Sequence, residues 1–296
     1  MKRMRILGLA LVAVFALAAV AASGASAAPV WTECAKTAKN AEGHYTGKYT
    51  DKVCTAEASP AEQAEGKHNK YELKEGLGKK GATKPFKVKG GAATLHVIIP
   101  ATGKGAFPGG AHVEVKCTSF KGQGLPALPN KVKEVTSEFK GCTVLAAPCQ
   151  SGSKKGTITT NSLSGEMIDI EGGSGVGTEL QGEKSPVLAN FTCTEVATTN
   201  VLGSVIAEHT GNVGVISKES ADHFVVGPGL GEVEYAPGAK YTPLVNIPTH
   251  KTGGPNGEHF LLSEITEAGH TEPAGTLPSG QEGTASDKGE ALMIKP

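Results

Sequence analysis

Beyond residue 90 the chain alternates apolar and polar residues in short runs, and glycine or proline interrupts nearly every one. The runs at 93–99 (ATLHVII), 111–117 (AHVEVKC), 134–139, 156–160, 166–171 and 188–193 (LANFTC) carry the two-residue period of half-buried strands. Further runs at 200–206, 213–217, 223–226, 232–235, 259–264 and 291–295 continue the pattern. Between them lie turn-forming clusters such as GKGAFPGG, KGQGLPALPN, SGSKKG, EGGSGVG, VGPGLG and KTGGPNG. About a dozen short strands separated by such turns predict an all-β fold, either a β-sandwich or barrel-like packed antiparallel sheets. The spacing of Val132, Val135 and Phe139 would also suit a helix, but the valine and threonine content of that stretch favours a strand. Residues 269–288, polar and interrupted by glycine and proline, are expected to form a long loop before ALMIK (291–295) returns to the sheet.

The first 90 residues break this pattern twice. A basic start (Lys2, Arg3, Arg5), an apolar run from Ile6 to Val20 and a small-residue stretch ending in Ala25-Ser26-Ala27 form the three parts of a secretory signal peptide. Pro29 obstructs cleavage after Ala28, so residues 1–27 are expected to be removed and the product to be secreted as an extracellular protein with no transmembrane segment. Residues 28–90 form a lysine-rich N-terminal segment, with twelve lysines against seven acids between Cys34 and Gly90. Ser59-Pro60 followed by Glu62 predicts one short capped helix there. Residues 91–296 are then the β-rich domain.

An exported chain oxidises its thiols, and an even count of six cysteines predicts three disulfides. Six thiols admit fifteen pairings, among which loop length favours Cys34 with Cys54 and Cys142 with Cys149. Cys117 with Cys193 is then left to join the strands at 111–117 and 188–193. On the chain-entropy model these loops are worth about 3.3, 2.5 and 4.5 kcal/mol. Zinc ligation is not expected, because Cys142 and Cys149 stand too far apart for a zinc knuckle and no C-x-x-C occurs.

Charge narrows the partners. Removing Lys2, Arg3 and Arg5 turns a balance of 29 basic and 29 acidic residues slightly negative, and it removes both arginines of the chain. Without the planar guanidinium fork, nucleic-acid binding and phosphoryl transfer are disfavoured.

The leader around Cys34 and Cys54, FKGC at 139–142, Cys149 with SGSKKGTITT, Leu163-Ser164-Gly165, FTC at 191–193 and GSVI at 203–206 followed by Asn212 resemble a family of uncharacterised secreted proteins of high-GC Gram-positive soil bacteria. That resemblance spans most of the mature chain. It implies a secreted β-rich protein and brings no catalytic or ligand residues with it.

Catalytic patterns are weak throughout. GLGKKG at 76–81 matches G-x-G-x-x-G without the strand and helix that a dinucleotide site needs. GGSGV at 172–176 fails as a nucleophile elbow, and four scattered aspartates give no calcium loop. Glu166 and Asp169 would face opposite sides of a strand, whereas Glu232 and Glu234 would share a face near Tyr235, the one carboxylate pair of interest. His96, His112, His209, His223, His250, His259 and His270 lack H-x-H or H-E-x-x-H spacing and are expected as isolated polar-face residues. No catalytic, cofactor or metal residue is therefore assigned. The expected function is a secreted non-catalytic binding or cell-surface-associated protein, with a cell-envelope or extracellular polymer as a candidate partner. The alternatives are a secreted hydrolase assembled from non-adjacent Glu and His, and a structural envelope or matrix component.

Overall fold

The computed structural model describes residues 28–77, 84–99, 111–169, 175–209, 211, 213–214, 216–224, 233–236, 239–241, 261–273 and 276–295. The expected signal peptide lies outside them. Strand β1 (Val30–Lys36) leads through a stapled loop to helix α1 (Pro60–Glu65) and strand β2 (Tyr71–Glu75). Ser59 caps α1, as the sequence predicts, with the reciprocal Glu62 contact of a capping box, and Gly66 ends it in the left-handed conformation. Next come β3 (Phe86–Ile99), β4 (Ala111–Cys117), β5 (Ser119–Ala127), β6 (Lys131–Lys140) and the short pair β7 (Thr143–Val144) and β8 (Ala147–Gln150). The central part continues through β9 (Thr157–Thr159), β10 (Leu163–Asp169), β11 (Val176–Gly182), β12 (Val187–Cys193) and β13 (Ala197–His209). Finally there are β14 (Ser217–Phe224), β15 (Val233–Ala236), β16 (Ala239–Tyr241), β17 (Leu261–Glu267) and β18 (Thr276–Lys295). The fold is all-β, with antiparallel ladders throughout.

Those ladders close on themselves. One circuit of eight strands runs β3–β5–β6–β10–β11–β13–β14–β18 and back to β3. A second, also of eight, runs β3–β4–β7–β8–β12–β13–β17–β18 and back to β3. The long strands β3, β13 and β18 belong to both, so the body is barrel-like and these strands have a partner on each edge. Strand β1 adds to β18 with Trp31 opposite Ile294, and β2 follows at the outside. Trp31 is buried, and its indole N–H donates to the Lys131 carbonyl, which ties the first strand to the start of β6.

Three strands run through stretches that read as turns or loops. Strand β5 takes up much of KGQGLPALPN, β11 starts at Val176 near the end of the EGGSGVG cluster, and β18 replaces most of the loop expected at 269–288. Glycine serves close approach between β3 and β5. The ring of Phe120 fills the space that a Cβ at its partner Gly90 would need, and a Cβ at Gly124 would lie 2.5 Å from Phe86.

The structure also corrects two of the three disulfides. Cys34 pairs with Cys54 as expected, but Cys117 pairs with Cys142 and Cys149 with Cys193, in place of Cys117–Cys193 and Cys142–Cys149. The reason lies in the ladder. Lys116 opposite Thr143 brings Cys117 opposite Cys142, the β7–β8 hairpin brings Cys142 opposite Cys149, and Cys149 is opposite Cys193. The four cysteines thus form one row across β4, β7, β8 and β12. The Cys149 N–H donates to the Cys142 carbonyl at 2.9 Å, which makes that pair a hydrogen-bonded, wide one. Cys142, whose N–H donates to the Gly156 carbonyl, and Cys149 each meet their other cysteine neighbour across a narrow pair. There the Cα atoms are 4.0 Å (Cys117–Cys142) and 3.9 Å (Cys149–Cys193) apart, and the sulfurs join.

The hairpin that sets this row turns through Leu145 and Ala146 at φ 47° and 71°, values that L-residues with a Cβ adopt at a cost. Replacing both by the preferred turn pair, Leu145→Asn with Ala146→Gly, is expected to stabilise the protein by about 1 kcal/mol, read as a higher denaturant midpoint at unchanged slope. Tryptic mapping without reductant checks the pairing. Because no lysine separates Cys142 from Cys149, one species joining their common peptide to those of Cys117 and Cys193 is expected, whereas a self-looped 141–154 peptide would contradict it.

Candidate functional site

Strand alternation sends Leu95, Val115, Phe139, Leu180, Phe191 and Val205 to the inside of the barrel, where they line a cavity of about 80 Å3. The polar residues among the described residues that line it are Thr94, Ser137, Thr160 and Gln281. The Thr160 hydroxyl is held in place by accepting the Ser137 N–H at 2.9 Å. The cavity is therefore a largely apolar space, partly open to solvent, with a few polar residues in its wall.

On the opposite face of β3 the structure draws together residues that the sequence left apart. His96 lies opposite Glu114 in the β3–β4 ladder, and His112 stands two residues before Glu114 on the same face of β4. The His96 Nδ1 is 3.0 Å from His112 Nε2 and 3.5 Å from Glu114 Oε1, and the two rings stack at 5.2 Å. His96 is 5% exposed. Among the described residues its Nε2 has no hydrogen-bond partner; it lies 3.5 Å from Glu282 Oε2, contributed by β18. Lys116 Nζ contacts the other oxygen of Glu114 at 2.6 Å, and that hydrogen bond holds the Glu114 carboxyl below its usual range. Burial, together with the charge of His96, pushes the His112 imidazole below its ordinary value of 6.5; Glu114 pulls the other way and Lys116 adds to the depression.

The expectation of isolated histidines is thus corrected for His96 and His112. The sequence signal was His112-Val113-Glu114, whose H-x-E spacing puts both side chains on one strand face; its completion by His96 needed the register of a second strand. Elsewhere the expected residues stay apart. Glu166 is exposed and accepts from Asn130, while Asp169 on the same strand is buried. His209 Nε2 contacts the Thr178 hydroxyl at 2.7 Å, and His270 is exposed in the turn after β17. Glu234 lies opposite Lys240 in the β15–β16 hairpin, and His223 opposite Glu208 in the β13–β14 ladder. Glu232, His250, His259 and most of GLGKKG and GGSGV lie outside the described residues.

Because the folded chain disfavours the His112 imidazolium, it takes up that proton at lower pH than the unfolded chain does. The stability associated with a neutral His112 is intact above about pH 6.5 and is lost as the pH falls through that value towards the lower folded pKa. His112→Gln is expected to flatten the decline of melting temperature between about pH 7 and pH 5, measured against the parent in the same buffers. No protein-family model, no curated protein and no solved structure matches this chain, so the cavity and the His96–His112–Glu114 cluster stand on their geometry alone.

Proposed function

We propose that the protein is secreted and acts outside the cell as a non-catalytic binding protein whose ligand is a small apolar molecule held in the barrel interior. Secretion is supported by the basic, apolar and small-residue order of the first 27 residues and by three disulfides, which persist in oxidising surroundings. Among the described residues no helix is long and apolar enough to cross a membrane. The observation that carries the binding reading is the apolar cavity, since a concave, mostly apolar space with a few polar groups is the common form of a small-molecule site.

Its size limits the guest. A dry cavity of roughly 150 Å3 accepts benzene or xenon, so a space of about 80 Å3 suits xenon, a short hydrocarbon or the end of a longer chain. A hydrolytic reading gains nothing from this cavity, because no Asp, Glu or His is among the described residues that line it. The test is thermal melting and xenon NMR with short alkanes, benzene and xenon. A saturable rise in stability, reaching about 2.7 kcal/mol at a hundredfold excess over Kd, is expected for at least one guest. Val205→Phe, which fills the space, should abolish it. No response from the parent, or an equal response from a folded Val205→Phe variant, overturns the reading.

A further inference from the structure

The outer face of β3 and β4 carries a second site, independent of the cavity. We propose that His96, His112 and Glu114 bind a divalent transition-metal ion of the zinc class, with Glu282 as the carboxylate that orients His96.

The donor spacing supports this directly. An ion with bonds of about 2.0–2.1 Å to nitrogen and oxygen holds tetrahedral donors about 3.4 Å apart. His96 Nδ1 stands 3.0 Å from His112 Nε2 and 3.5 Å from Glu114 Oε1, and the three ligand atoms all lie within 4.8 Å of one another. Shifts well under the length of one bond admit the ion. Two imidazole nitrogens and one carboxylate oxygen suit zinc, nickel, cobalt or copper, whereas magnesium and calcium demand oxygen ligands. Lys116 occupies only Oε2 of Glu114 and leaves Oε1 for the ion; as an exposed ammonium, its repulsion of the ion is screened by solvent.

The buried Nε2 of His96 points to the same ligand. Among the described residues that atom has no hydrogen bond, and burying an unsatisfied ring nitrogen costs free energy. A metal on Nδ1 fixes the ring proton on Nε2, where Glu282 Oε2, now at 3.5 Å, becomes its acceptor. The carboxylate–histidine–metal arrangement that results is the usual way a protein sets the tautomer and basicity of a histidine ligand. Strands β3 and β4 supply the three ligands and β18 the outer carboxylate, so the site rests on paired strands of the barrel wall. Three protein ligands leave one position for water.

The test uses tag-free mature protein stripped with chelator and titrated with zinc by calorimetry and with cobalt by visible absorption. One equivalent of zinc, d–d bands of four- or five-coordinate cobalt, and no response to magnesium or calcium are expected. His112→Gln and Glu114→Gln, both at half-exposed positions, should each weaken zinc at least tenfold while the near-UV dichroism stays that of the parent. Glu282→Gln should weaken it about tenfold without removing the cobalt bands. Absence of stoichiometric zinc binding overturns the proposal, as does unchanged affinity in folded His112→Gln and Glu114→Gln variants, which would place the ion on other histidines.

Discussion

The alternation of wide and narrow pairs in an antiparallel ladder governs the centre of this protein. The Cys149 amide bonds to the Cys142 carbonyl, while the Cys142 amide turns to the Gly156 carbonyl. The side chains of Cys142 and Cys149 then find their close neighbours on the far sides, in β4 and β12. Two disulfides follow in one row and bind four strands that are brought together by a hairpin of six residues (143–148). Loop-closure entropy could not have selected this arrangement. At separations of 25 and 44 residues the two bridges are worth about 3.5 and 4.0 kcal/mol, and the alternative pairing comes within about 1 kcal/mol in total. Peptide orientation decides, and chain length does not.

The same row bounds the interior. Cys117 lines the cavity together with Leu95 and Val115 from its own side of the barrel and Phe191 from β12, so the bridged strands are also the wall of the apolar space. The outer faces of β3 and β4 carry the opposite chemistry. Alternate residues of a single ladder thus supply hydrocarbon inward and imidazole and carboxylate outward, and a shift of register by one residue would exchange the two.

Legibility in the sequence followed the same physics. Strand β4 was readable to the residue because Val113, Val115 and Cys117 alternate with His112, Glu114 and Lys116. Helix α1 was readable because its caps are local. Strands β5 and β18 were hidden in part by glycines that admit Phe86 or a neighbouring backbone, as Gly122, Gly124 and Gly289 do, a requirement set by residues distant in the chain. The candidate sites divide likewise. His112-Val113-Glu114 announces a shared strand face, but neither His96 nor the cavity can be found until the pairing of β3 with β4 and the closure of the ladder are known.

Strand β3 receives one of its two edge partners within the next forty residues of chain and the other, β18, only after more than 170. Through that interval its second edge is a row of unanswered amides and carbonyls. Such an edge will accept any extended segment that arrives first, including one from a neighbouring molecule. Assembly of the barrel is therefore a contest between a distant strand of the same chain and nearby strands of others, and it is won most readily where the emerging chains are dilute or shielded.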